Sequence, residues 1–352
     1  MRQTLSNIII KILLVTVIVF CSNFIYTNFF YKDDLVKHGG LLDDLNNVIK
    51  KTDIIYFAES SNLANASEDK DKRCLSEFIN DYFPSLKIGR INKGAIHAKT
   101  FLYLLKNIPD TSNIKTVIVT MTLRSFGASW INSKLETPLM KMNEFINPYY
   151  PKIINRFMLS LTTFNNISAE NRLKLVKKQW KMDKLKISNF KYASVYEWDK
   201  EVFKTGILDS NGNRDDAKTH LYLQFVKNYA FHIDTLTNPR IKDFDEITDY
   251  CKSKNWNLVY NLIAENVEKA EQLCGKELSN IMKENRNLLV ERYTKKGIIV
   301  VDNLEVVKDE LFLDKDFPTE HYNEEGRRIV ARNVADALKK LYPLEIIENK
   351  NF

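Results

Sequence analysis

Cysteine is scarce in this chain of 352 residues: Cys21, Cys74, Cys251 and Cys274 are its four, with no C-x-x-C pair and no histidine at metal-ligand spacing beside them. That pattern excludes a disulfide framework and a zinc or dithiol redox motif. Cys21 falls in an apolar run, which leaves three elsewhere; one disulfide is allowed, none is required, and buried free thiols are the plainer reading. A basic block is missing as well. The net charge of +7, from 52 basic and 45 acidic residues, is spread along the chain without an arginine cluster or a basic run interleaved with aromatics, which argues against nucleic acid as a partner. No G-x-G-x-x-G follows the first apolar segment, and there is no P-loop, no H-E-x-x-H, no calcium-loop spacing and no internal repeat. The chain implies no metal and no organic cofactor.

What the chain has is enough apolar residues, 44%, to bury a full core, and one long apolar run at its start. Residues 8–31 are almost entirely apolar apart from Lys11, and Ile12 to Tyr31 is long enough to cross a hydrocarbon layer as a helix. Arg2 and Lys11 precede the run while Asp33 and Asp34 follow Lys32. That bias predicts an anchor over residues 1–32, with the N-terminus cytoplasmic and residues 33–352 outside the membrane. The alternative is a cleaved signal peptide and a secreted body; the length of the run and the lack of a small-x-small site favour the anchor.

Beyond the run, short β-branched segments alternate with amphipathic ones. "IIYFA" (54–58), "LKIGRI" (86–91), "TVIVTMT" (116–122), "NLVYNLI" (257–263) and "GIIVV" (297–301) read as strands covered on both faces, with helical patterns between them and after the last. This order predicts an α/β fold: three layers, α/β/α, around a parallel, flavodoxin-like sheet of about five strands. Residues of roughly 130–240 break the rhythm with aromatic- and lysine-rich helical patterns, and read as a helical insertion that either roofs a ligand crevice or serves as a packing or partner surface.

Ligands of open parallel sheets bind beyond the carboxyl ends of the strands. The first strand runs into "AESS", with Ser60 and Ser61 at that end, and one of the five histidines, His321, lies between the last strand and the final helix, at the same end of the sheet. His38 is close to the apolar run, and His97, His220 and His232 fall in or beside helical patterns, where an imidazole is usually structural. A serine hydroxyl needs a positioned base to become a nucleophile, and imidazole titrates in the right range. The bland reading of the two serines is a helix-starting or turn-forming pair.

"AESS" followed far downstream by "HYNEEGRRIVARNVADAL" resembles the SGNH/GDSL hydrolase superfamily, whose serine follows the first strand in a G-D-S block and whose histidine precedes the last helix and an N-x-x-G. The resemblance spans about residues 52–342, with the insertion unmatched, and implies an SGNH-like scaffold. It puts Ser60 in the nucleophile's place and His321 in the base's, while Ala58 and Glu59 replace the family's Gly and Asp. The family's acid lies three residues before the histidine, where this chain has Pro318, so Glu320 and Asp316 stand as substitutes, beside a backbone carbonyl or a Ser-His dyad. For the oxyanion the resemblance points to Gly94 or Ala98 after the second strand, and to Arg124 where the family has Asn; Arg124 reads equally as a structural ion-pair partner. Asn266, past the fourth strand, is either a substrate-positioning or a turn residue.

The expectation is a membrane-anchored, extracytoplasmic serine esterase or O-acyltransferase acting on an acylated cell-envelope polysaccharide or another ester. The alternative is a catalytically inactive member that binds glycans or serves as a scaffold.

Overall fold

The apolar segments pair as strands β1 (Ile54–Ala58), β2 (Ile88–Asn92), β3 (Thr116–Met121), β4 (Asn257–Leu262) and β5 (Ile299–Asp302) in one parallel sheet of order β2-β1-β3-β4-β5. This is a computed structural model, and it describes residues 2–161 and 167–343. β1 and β3 are buried along their whole length, which is why they carry no polar alternation. The period-2 projection of β1 sends Ile55 and Phe57 into the core on one sheet face and Ile54, Tyr56 and Ala58 into the core on the other. Helices cover both faces, so the three layers expected from the alternation are present. Gly89 in β2 lies so close to Thr52 and Val48 that a Cβ there would collide with both side chains.

Chain order reverses between β1 and β3: β2 lies outside β1 on one edge, β4 and β5 beyond β3 on the other. A crevice opens at such a switch point. Ser60 follows β1 and the turn Leu123–Phe126 follows β3 on that side.

Between β3 and β4 the chain runs through the helices Glu136–Ile146, Ile153–Ser160, Ala169–Met182, Val195–Thr205 and Asp216–Tyr229 before Pro239–Ser253 leads back to the sheet. Trp198 is fully buried there among aromatic rings, 4.7 Å from Phe190 and 5.7 Å from Tyr192 between centroids. It belongs with Val117 and Phe101 to one continuous core, so the helical interval packs onto a sheet face.

At the N-terminus, the helix Arg2–Phe29 is long and apolar enough over Thr4–Phe29 to cross a membrane by length and composition. Tyr26 near its end is buried, its hydroxyl donating to Asp34 at 3.0 Å. Cys74, Cys251 and Cys274 are buried free thiols.

Candidate active site

The β1 strand ends at Ala58, and Glu59 leads into a single 3-10 turn, Ser60–Asn62. Asn62 is buried at its end: its amide donates to Asn92 at 2.9 Å and its carbonyl oxygen accepts from the Ser76 N–H at 2.8 Å. Asn92 in turn donates to the Glu59 carbonyl at 3.0 Å. These bonds hold the turn against β2 and leave Ser60 half-buried with its hydroxyl at the crevice, while Ser61 is turned inward and buried.

His321 comes from the other end of the chain. The segment before the last helix folds back on itself, closed by an antiparallel bridge between Phe312 and Tyr322 and by the Leu313 N–H donating to the His321 carbonyl at 2.9 Å. Asn323 then caps the helix Glu324–Lys339, accepting from the Gly326 N–H at 3.0 Å. A Cβ on Gly326 would come within 2.7 Å of Tyr322 Cβ. The N-x-x-G spacing is therefore a helix cap followed by a close approach, and it sets the direction in which the residue just before Tyr322 points. His321 Nε2 lies 2.9 Å from Ser60 Oγ.

The carboxylate on the opposite ring nitrogen is Asp314, with Oδ2 2.7 Å from Nδ1. Its Oδ2 also accepts from the Thr319 hydroxyl, which steadies it. Asp314 is not visible as a partner in the sequence because it lies well outside the three-residue spacing that the family resemblance implies. The fold-back of the loop brings a residue seven positions away beside the ring. Neither expected substitute holds that position: Asp316 is exposed on the loop, and Glu320 is buried and pairs with the Arg124 guanidinium instead. Adjacent residues in an extended segment point to opposite sides, so Glu320 faces away from the contacts that His321 makes.

Arg124, also buried, donates to the Pro318 carbonyl at 3.0 Å. It thus ties the turn after β3 to both residues that precede the histidine by one and three positions. Two further buried carboxyls crowd this guanidinium from below. Glu59 accepts from the Thr122 hydroxyl at 3.3 Å, and Glu265, just past β4, accepts from the Leu123 N–H. Burial, reinforced by the nearby Glu320, pushes both Glu59 and Glu265 up to about 8. Burial raises Glu320 as well, and there the strongest opposing influence is Arg124. The upward shift of Glu59 and Glu265 favours their neutral forms and leaves the Glu320–Arg124 pair as the charged pair of the cluster.

The cleft above Ser60 and His321 has a volume of about 420 Å³. Ala95, Arg124, Phe317 and Thr319 line it from the sheet side; Ser129, Trp130, Ser133, Leu135, Gln224, Lys227 and Asn228 form the facing wall. Most of that wall comes from the helical interval between β3 and β4. The Trp130 indole N–H donates to Asn228 at 3.0 Å, and the Arg124 guanidinium carbon lies 4.5 Å from the Trp130 ring centroid.

The remaining expected positions divide. Gly94 is exposed and Ala98 is buried in the first turn of the helix Ala98–Lys106, and neither lines the cleft. Ala95 between them does, with φ of +57°, a left-handed conformation that a residue with a Cβ seldom adopts. Asn266 is a helix cap: its oxygen accepts from the Lys269 N–H at 2.9 Å and its amide donates to Asp309 at 2.8 Å, outside the cleft. Among the described residues, no group of three or more His, Cys, Asp or Glu side chains is arranged to hold a metal ion.

Comparison with known proteins finds no matching family model and no matching curated protein. Among solved structures the chain is similar to a member of the lipolytic protein G-D-S-L family from Veillonella parvula, with 10% identity and a TM-score of 0.35 over 80% of this chain and 96% of that one. It is also similar to an acetylxylan esterase variant from Geobacillus stearothermophilus, at 8% identity and a TM-score of 0.33 over 81% and 93% of the two chains. A lipase/acylhydrolase from Enterococcus faecalis stands at 8% identity and a TM-score of 0.32, over 82% and 96%.

Proposed function

We propose that the protein is a membrane-anchored, extracytoplasmic serine esterase or O-acyltransferase of the SGNH type, acting on an acylated envelope glycan with Ser60 as nucleophile. The observation that carries this reading is the unbroken relay from Ser60 Oγ through both ring nitrogens of His321 to Asp314, with steps of 2.9 and 2.7 Å. In it, Asp314 accepts from Nδ1–H and keeps the lone pair of Nε2 aimed at the serine. Ser60 Oγ attacks the ester carbonyl as Nε2 takes its proton; the same proton then passes to the departing alkoxide, leaving an acyl-serine. Water, activated by His321, releases the acid in an esterase; a sugar hydroxyl in its place completes an acyl transfer.

The developing oxyanion is assigned to backbone N–H groups of Ser60 and of the turn at Ala95, which lines the cleft with a left-handed backbone. Donors of this kind are worth roughly 100- to 1000-fold in rate each at comparable sites. Arg124, engaged by Glu320 and Pro318, acts by holding the histidine loop. The wall of amides, hydroxyls and one indole, with one ammonium and one leucine among them, fits a sugar ester better than a long acyl chain, and the volume of about 420 Å³ suits one or two pyranose rings. A catalytically inactive binding module is favoured by the missing acid before His321 and by the altered oxyanion positions; Asp314 beside Nδ1 speaks against the first of these.

Labelling with a fluorophosphonate tests the reading. Wild type and Ser61→Ala should label; Ser60→Ala and His321→Ala should not. Labelling retained in Ser60→Ala, in protein shown to be folded, would rule it out.

A further inference from the structure

Beyond the cleft, the molecule carries an apolar face that the relay does not explain, beside the outer end of the N-terminal helix. The helix Ile153–Ser160 is bonded to that end: the Ile153 N–H donates to Asn23 at 3.1 Å, and Arg156 pairs with Asp34 at 3.0 Å. Just before it, the Lys152 ammonium sits 4.1 Å from the Tyr31 ring centroid. The other side of this segment is bare. Ile154, Phe157 and Leu161, at i, i+3 and i+7, are 37%, 56% and 68% exposed, and Tyr149 and Tyr150 beside them are 53% and 77% exposed.

We infer that this face docks on the lipid surface, laying the helix Ile153–Ser160 in the headgroup and acyl boundary. The inference rests on the reading of the N-terminal helix as a membrane anchor. Its support is the level at which the two helices meet. Asn23 precedes Phe29, the last residue of the long helix, by six positions, or about 9 Å at 1.5 Å per residue. A hydrocarbon layer of about 30 Å consumes about 20 residues, fewer than the 28 of this helix. The polar residues Asn23, Thr27 and Asn28 mark where its apolar run gives way. Centred on the apolar stretch Thr4–Phe29, such a layer reaches to about residue 26, so a segment joined at Asn23 lies about 5 Å inside its outer edge, the depth at which interfacial helices bury an apolar face.

The chemistry of the segment agrees with its level. Two tyrosines offer an apolar ring with a polar tip, as interfacial aromatics do. Phe24, Ile25 and Phe29 on the anchor itself, flanking Asn23 along the chain, are exposed as well. The occupant is lipid, because a short helix bonded to a spanning helix at this level has the bilayer as its neighbour.

The test uses the full chain in nanodiscs of phosphatidylcholine and phosphatidylglycerol at a ratio of about 3:1. In a Cys21→Ser background, single substitutions Phe157→Cys, Val17→Cys and Leu236→Cys carry an environment-sensitive fluorophore, and doxyl-labelled lipids serve as quenchers. All three positions are exposed, so none should disturb folding. Quenching at position 157 should approach that at 17 and exceed that at 236 at least twofold. If 17 is quenched while 157 matches 236, the anchor stands and the docking face is overturned, as it would be were the face reserved for a protein partner. If 17 is not quenched, the anchor reading fails and the docking face falls with it.

Discussion

Asp314 Oδ2 lies 2.7 Å from His321 Nδ1, although the two are seven positions apart and Pro318 occupies the position three before the ring. The loop between Phe312 and Tyr322 closes as a hairpin-like fold, so the carboxylate reaches the ring from the opposite limb rather than from one turn upstream. Asp314→Asn keeps the shape but loses the charge that stabilises the imidazolium and selects its tautomer. Hydrolysis of p-nitrophenyl acetate should fall about 1000- to 10,000-fold in kcat, whereas Asp316→Asn should change it less than about twofold. A similar loss from both, or from neither, would remove Asp314 from the relay.

The buried carboxyls give the protein an unusual pH profile of stability. Glu59 and Glu265 have their folded-state values raised from 4.5 to about 8, first by burial. Between those values the folded protein retains protons that the unfolded chain has released, so stability falls as pH rises. The contribution is full below about pH 4.5 and is lost on passing about pH 8. Glu59→Gln carries a permanent neutral mimic, and its Tm should drop less than that of wild type between pH 5 and 8. Parallel Tm curves for the two proteins across that range would show that Glu59 is ionised in the folded state.

Much of this architecture was legible from apolar periodicity. Continuous β-branched runs announced buried parallel strands, and the helical interval after β3 stood out because no crossover needs its length. Ser60 and His321 were legible as neighbours because both follow strands at one end of a parallel sheet. What stayed hidden depended on side-chain direction. Nothing in "DKDFPTEH" tells which acid faces the ring, since that follows from the Phe312–Tyr322 bridge. Ala95 was hidden between Gly94 and Ala98 because a left-handed turn residue is expected to be glycine. Asn266 and Arg124 were visible as polar groups at strand ends, but their partners Asp309 and Glu320 lie in distant segments.

Arg327 couples the two halves of the site. It is fully buried, pairs with Asp69 at 2.8 Å, and donates to the carbonyls of Ala64, Asp71 and Tyr322 at 2.8 to 3.0 Å. One guanidinium thus clamps the segment after Ser60 to the start of the helix after His321. Arg327→Ala leaves Asp69 charged and three carbonyls without a donor, and should cost about 3–5 kcal/mol in urea unfolding. The double variant Arg327→Ala/Asp69→Ala should cost less than the sum of the singles. Additive effects would mean that the pair does not act as a unit.

The wall facing Ser60 should decide what the site accepts. Trp130 lines the cleft, its indole N–H held by Asn228 and its ring beneath Arg124, so its position is set from two sides. A small acetyl ester reaches the serine without that wall, while a sugar ester must place its ring against it. Trp130→Ala should therefore raise KM for an acetylated oligosaccharide about tenfold, the loss of roughly 1.4 kcal/mol of ring contact. It should leave kcat/KM for p-nitrophenyl acetate within about twofold. Trp130→Phe, which keeps an aromatic face but not the bond to Asn228, should fall between. Equal losses on both esters would point instead to a disturbed Arg124, and the wall would then have no part in choosing the substrate.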